Sequence, residues 1–310
     1  GLIGHNVVAR LEALGHLVII TDTRTNYGII PQEELDYLIA ERLKKIKTKE
    51  IYRIDIADQE GIDFLMRKFN PDTIIHLASF PRQKVVNANP QLGSRAMSEG
   101  LLNLLENAKK HQVKKFLYIS SSMVYGDFKD DVTEDAVCRP QGQYGIMKLA
   151  GEWLVRDYTR SSGIAHTIIR PSAVYGPLDV EDRVIAKFML TAMRGSVLKV
   201  NGREETLDFT YVDDAVAGIV GASLSEKAAN RTYNITRSAS HTLLQAAELA
   251  ITTVGGTGTV QIESRDAEYP SRASLKINRA REDFGYEPKI DIEQGFQLYY
   301  DWLKTSIYAQ

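Results

Sequence analysis

Five short apolar runs mark the first part of the chain: 17–21 (LVIIT), 51–54 (IYRI), 73–78 (TIIHLA), 116–120 (FLYIS) and 165–170 (AHTIIR). Each has the length of a strand and is rich in β-branched or aromatic residues, the pattern of strands covered on both faces. Between them, segments 6–14, 59–69, 91–111 and 143–160 read as helices. In 143–160 the apolar residues Ile146, Leu149, Ala150, Trp153 and Leu154 recur at helical spacing, and Ser161-Ser162-Gly163 supplies a stop. Alternation of this kind predicts an α/β chain, a doubly wound parallel sheet with helices on both faces. After Pro171 the rhythm weakens. Turns at Gly195, Gly202 and Gly255-Gly256 predict a smaller C-terminal lobe.

Composition narrows the classes of function. The chain has 310 residues, enough for one large or two modest domains with a real core. Its net charge of −2 gives no footprint for nucleic acid or a membrane surface. No apolar run is long enough to span a bilayer. The single cysteine, Cys138, excludes an internal disulfide, so a reducing, cytoplasmic setting is expected. The histidines lack metal-ligand spacing and Cys138 lacks a partner, so no metal site is expected.

The chemistry concentrates at Ser121, Tyr144 and Lys148. Tyr-x-x-x-Lys puts a phenol and an ammonium one turn apart on one helix face. A free phenol titrates near pH ~10 and is a poor base at neutral pH. A neighbouring cation is expected to favour the phenolate. Ser121, in the serine run after an apolar strand, would hold the same substrate oxygen. The set reads as a general acid/base for a sugar or alcohol hydroxyl.

A second signal is for a dinucleotide. Gly1-Leu2-Ile3-Gly4 opens a helix, and glycines there let a pyrophosphate approach the helix N-terminus. Asp22 ends the next strand, 18 residues after Gly4. An acid there binds ribose hydroxyls and repels a 2′-phosphate, with Arg24 close enough to soften that preference.

With these residues in place, the chain resembles the extended short-chain dehydrogenases/reductases, in the NAD-dependent epimerase/dehydratase group that includes UDP-glucose 4-epimerase. Gly1-Leu2-Ile3-Gly4 is similar to the end of the group's TGGxGxIG loop, and Asp22 to its ribose-binding acid. Asp55-Ile56 resembles the pair beside adenine. His76-Leu77-Ala78, followed by Ser79, resembles the HLA segment under the cofactor. Ser121, Tyr144 and Lys148 match the catalytic triad, with Ser120 beside it. The segment from Arg170 to Pro177 (RPSAVYGP), through Pro171, Ala173 and Val174, resembles the stretch leading to the nicotinamide and the substrate. LDFTYVDD from Leu207 and FGYEP from Phe284 match later signatures. The resemblance implies a Rossmann domain over 1–170 with a return segment at 206–236. It implies a nucleotide-sugar lobe over 171–205 and 237–310, and a homodimer through helices 91–111 and 143–160. It also implies a first strand before Gly1, filling a central place between the strands that end at Asp22 and Ala78.

The departures bear on the reaction. Relatives that eliminate water carry Asp and Glu after the catalytic Ser/Thr; here Ser122 and Met123 stand there, and a thioether moves no proton. Ala173, Leu207 and Met97 replace polar residues of the group, which leaves the sugar and the nucleotide open. A diphosphate calls for arginines. Arg183, Arg203 and Arg272 are the candidates, Arg272 first because the resemblance places a phosphate ligand there. Phe80 and Arg82, past the C-terminal end of a strand, are candidates for the sugar. Gly255-Gly256-Thr257-Gly258 does not open a helix and reads as a turn.

These readings converge on NAD-dependent epimerisation of a nucleotide-diphosphate sugar at C4, UDP-sugars first, through a transient 4-keto sugar. The alternatives are another fate of that ketone (dehydration, decarboxylation or release) and a non-catalytic nucleotide-binding protein. Because of Asp22, NAD is expected to bind more tightly than NADP when the two are titrated side by side. Equal or tighter NADP binding would mean that Arg24 dominates or that Asp22 points away.

Overall fold

In the computed structural model, whose described residues are 1–80 and 82–309, strands and helices alternate through the first half. Pro81, beside the expected sugar segment, lies outside the described residues. The order is α1 (Leu2–Ala13), β1 (Ile20–Thr21), α2 (Gln32–Lys44), β2 (Ile51–Tyr52), α3 (Gln59–Phe69) and β3 (Thr73–His76). Next come α4 (Gln83–Ala88), α5 (Pro90–Ser94), a π-helical turn at Arg95–Glu99, α6 (Gly100–Lys110) and β4 (Lys115–Ile119). They lead to α7 (Gly142–Ser162), β5 (Ala165–Pro171), β6 (Val174–Tyr175), α8 (Val184–Met193) and β7 (Leu198–Asn201). The rest is β8 (Thr206–Asp208), β9 (Thr210–Tyr211), α9 (Val212–Leu224), β10 (Arg231–Ile235), β11 (Ser240–Thr242), α10 (Leu243–Val254), β12 (Val260–Glu263), α11 (Asn278–Phe284) and α12 (Ile292–Leu303).

The fold is the expected α/β arrangement. Four parallel strands run in the order β10-β5-β4-β3, with Phe116 opposite both Ile74 and His166. β1 and β2 form a separate parallel pair. The β1 and β3 segments border one large cavity, with Val18, Ile19 and Ile20 on one side and Ile74 and Ile75 on the other. Side chains alternate along β4 and β5, as pleating requires. Phe116, Tyr118 and Ile168 join a core with Ile62 and Leu65 of α3 and Leu101, Leu104 and Leu105 of α6. Leu117, Ile119 and Ile169 face the other way, into a core with Val7 and Leu11 of α1 and Val216 and Ile219 of α9. Helices therefore cover both faces of the central strands.

Local signals set several boundaries. Asp58 caps α3 by accepting from the Gly61 amide at 3.1 Å, and Asn70 ends it in the left-handed region. Gly163 ends α7 at φ +74, as the Ser-Ser-Gly stop predicts. Gly255 closes α10 at φ +66, so the glycine-rich stretch is a turn. The run 17–21 shortens to Ile20–Thr21, which has a partner strand on one side only. Segment 91–111 is not one regular helix: Pro90 starts it and a π-helical turn interrupts it.

Among the described residues no helix is long and apolar enough to cross a membrane. None of their His, Cys, Asp and Glu groups cluster as a metal site.

One close approach seats α7 on the sheet. A β-carbon on Gly151 would fall on the Tyr118 hydroxyl and lie 2.7 Å from Cζ of that ring. Gly151→Ala is therefore expected to destabilise the fold by about 1–2 kcal/mol, an overpacking cost partly offset by alanine's better helix propensity. A urea titration of parent and variant checks this; a more stable variant would mean that α7 has room to shift.

Candidate active site

The C-terminal ends of β3, β4 and β5 open into a cavity of about 1900 Å³, the place where open α/β sheets hold ligands. Ser121, Tyr144 and Lys148 all line it. Ser121 follows β4 and caps a 3₁₀ turn at Ser122–Tyr125, its Oγ accepting from the Met123 amide at 3.2 Å. α7 brings Tyr144 to the same wall of the cavity. Lys148, one turn on, is buried and donates from Nζ to the Ile119 carbonyl at 2.8 Å. That Nζ lies 5.3 Å from the centre of the Tyr118 ring and 5.8 Å from that of Tyr144.

The electrostatics differ from the expectation in one respect. Burial holds the Tyr144 phenol above its usual range, and the groups that oppose this are Arg183, Ser121 and Arg272. Lys148 is not what lowers it here. Its ammonium is turned onto the Ile119 carbonyl, and burial draws Lys148 itself down to about 7, with Glu152 opposing. An ammonium near its titration point is a conditional cation at neutral pH.

The residues expected to hold a dinucleotide form one wall of the same cavity. Gly1, Leu2, Ile3 and Gly4 bring the N-terminus of α1 to it, and the Gly1 nitrogen is 3.7 Å from Asp22 Oδ2. The other Asp22 oxygen accepts from the Arg24 amide at 2.7 Å. At Gly4 a β-carbon would meet nothing nearer than Leu77 Cδ1 at 4.0 Å, so the backbone there is open to close approach. Asp55 and Ile56 line the wall; Asp55 accepts from the Ala57 amide, and Asn103 donates to the Ile56 carbonyl at 2.6 Å. Leu77, Ala78, Ser79, Ser120, Pro171, Ala173 and Val174 complete it. A helix N-terminus beside a ribose-type acid, continuous with the Tyr144–Lys148 face, fits NAD.

On the sugar side, Phe80, Arg82, Ser122, Met123, Arg183 and Arg272 line the cavity. Arg203 does not. It is 66% exposed, beside Glu204 on a turn. Arg82 lines the wall but is already engaged, ion-paired to Asp182 at 2.6 Å and donating to its carbonyl at 3.1 Å. Arg272 is the better anion ligand: its buried Nε has no hydrogen-bond partner among the described residues. Met123 is buried, an apolar group at the position where elimination needs a proton donor. His76 is a buried strand residue stacked on Tyr118, and burial holds it uncharged, titrating near 3. Cys138 is half-buried, with its thiol toward the Ala136 carbonyl.

Three features go beyond the sequence expectations. Tyr27 packs edge-on against Phe80, ring centres 4.5 Å apart. Arg42, on α2, reaches the Leu178 carbonyl at 2.7 Å across the cavity's rim. Nothing in the polar run around either marks it out. Glu152, by contrast, repeats the spacing of four that joins Tyr144 to Lys148, and that signal was legible.

The whole chain is similar to known proteins. The model of the NAD dependent epimerase/dehydratase family matches residues 1–236. An uncharacterized UDP-glucose epimerase of Bacillus subtilis, YtcB, is 29% identical over 94% of this chain and 87% of its own length. A UDP-glucuronate 4-epimerase of Thermodesulfobacterium geofontis is 26% identical over 99% of this chain and 94% of its own. Among solved structures, the UDP-glucose 4-epimerase of Thermotoga maritima with UDP-glucose superposes with a TM-score of 0.89 at 26% identity, covering 98% of this chain and 96% of that one.

Proposed function

This chain belongs to the NAD-dependent epimerase/dehydratase family, and we propose that it inverts C4 of a UDP-sugar through a transient 4-keto sugar. The observation that carries this reading is the convergence of Ser121, Tyr144 and Lys148 in one cavity, with Met123 where elimination needs an acid. Bound NAD supplies a hydride acceptor for the oxidation and a donor for the reduction. Gly1 to Gly4, Asp22, Asp55 and the 77–79 segment would hold it.

The chain's own residues do the proton work. Tyr144 accepts the proton of the C4 hydroxyl as the ketone forms and returns it as the ketone is reduced. Ser121 hydrogen-bonds the same oxygen and holds it in place. Arg183 and Arg272 make the site cationic, which favours the phenolate against burial, and the Lys148 ammonium would hold the nicotinamide ribose. Arg272, whose buried Nε has no hydrogen-bond partner among the described residues, takes the diphosphate, with Arg183 also lining the cavity. Turning the keto sugar over before the reduction presents its other face. The relatives named above support UDP as the nucleotide, since each is named for a UDP-sugar. Ile146 and Trp153, exposed on α7, support a dimer built on that helix.

Tyr144→Phe is expected to keep the fold and NAD binding and to lower turnover at least ~10²-fold, the usual scale for a general acid/base. The measurements are the melting temperature, NAD titration and the steady-state rate. A variant within a few-fold of the parent rate removes Tyr144 from the mechanism.

A further inference from the structure

The acid–base pair is part of a longer ladder on α7. Glu152 follows Lys148 by four residues, as Lys148 follows Tyr144, so the three share one helix face. Glu152 is fully buried. Arg170 of β5 grips its carboxylate with Nε at 2.8 Å and Nη2 at 2.7 Å. Ser120 Oγ donates to the same carboxylate at 2.6 Å, and Arg156 Nη2 at 3.1 Å. Ser120 sits between Ile119, whose carbonyl receives Lys148, and Ser121, which lines the cavity with Tyr144. One carboxylate thus joins α7, the end of β4 and β5 at the reacting edge of the cavity. Apolar residues of like volume would stabilise such a spot as well as an ion pair does, so its placement here argues for a use.

We propose that Glu152 is a positioning residue for the acid–base site: one turn beyond Lys148 and held by Arg170, its carboxylate bonds Ser120 and so sets the strand end that presents the Ile119 carbonyl to Lys148 and Ser121 to the cavity. The proposal rests on the roles of Tyr144 and Lys148 stated above.

The surroundings of Lys148 make the carboxylate matter. β3 presents His76 and β4 presents the Tyr118 ring and the Ile119 carbonyl; α7 itself presents Tyr144 and Glu152, and β5 places Arg170 behind Glu152. His76 is uncharged, and burial holds both phenols above their usual range. Of these groups Glu152 alone is anionic at neutral pH. Burial already draws Lys148 down to about 7 against the pull of Glu152. Losing the carboxylate while keeping the Arg170 charge draws it lower still, so the ammonium is lost at a lower pH. Its charge-assisted hold on the Ile119 carbonyl, and on the nicotinamide ribose it would bind, weakens with it.

The test is the pH profile of kcat/KM for the NAD-loaded enzyme and its Glu152→Gln variant. The alkaline limb is expected to move to lower pH by about one unit or more in the variant. A merely structural role lowers the rate alike at every pH and leaves the limb where it was. Because Glu152→Gln strands a buried guanidinium, Glu152→Gln/Arg170→Gln is run beside it, with a neutral hydrogen-bonded pair in place of the ion pair. Its limb is expected to move in the same direction, since Glu152 is the group acting on Lys148. A folded variant of either kind with an unmoved limb overturns the proposal. Tyr144→Phe, in the same assay, separates the two readings: if it matches the parent, the site assignment fails and not the role of Glu152.

Discussion

The buried ion pair between Glu152 and Arg170 is the junction on which the site's geometry depends. Its 2.7 and 2.8 Å bonds tie the catalytic helix α7 to β5, and Ser120 extends the tie to β4. Arg170 continues outward, donating to the Tyr125 hydroxyl at 2.9 Å, which donates in turn to Asn234 at 2.7 Å. Asn234 lies on β10, and its amide donates to Glu134 at 2.9 Å. Removing one member leaves the other as an uncompensated buried charge, a cost of about 3–5 kcal/mol in comparable pairs. The network thus joins the end of β4, the helix that carries the acid–base residues, β5 and β10.

The sheet supplies the rest of the placement. β3, β4 and β5 end together, and each hands its next residues to the cavity: Leu77 and Ala78, Ser120 and Ser121, and Pro171 and Ala173. Alternation along β4 sends Tyr118 under Lys148 and Ile119 into the opposite core, while its carbonyl remains to receive the ammonium. Gly151 lets α7 come close enough for that bond to form. Chemistry at this site is a consequence of strand ends held in register.

Much of this was legible because it was local. Ser121, Tyr144 and Lys148 fall in one cavity since a strand end and a spacing of four are readable without tertiary knowledge. Gln59–Phe69 was bounded by its caps, Asp58 and Asn70. What was lost depended on burial and distant partners. The downward pull on Tyr144 comes from Arg183 and Arg272, far along the chain, while Lys148 bonds a carbonyl. Arg203, a cation near a turn, is exposed and outside the cavity lining. Helix α2 went unread because two of its three buried residues, Glu34 and Arg42, are charged, so its inward face lacks a clean apolar stripe. Segment 17–21 had the composition of a strand, but pairing decides extent, and only Ile20–Thr21 pairs.

The central claim is that the ketone formed at this site is reduced again and not diverted. It rests on Met123, a side chain that moves no proton where elimination needs one. The most direct measurement is incubation of the NAD-loaded enzyme with a panel of nucleotide sugars, with products read by mass and NMR. The account predicts a UDP-sugar product of unchanged mass with C4 inverted. Loss of water or of carbon dioxide from the sugar, or a keto sugar released as the end product, would contradict it.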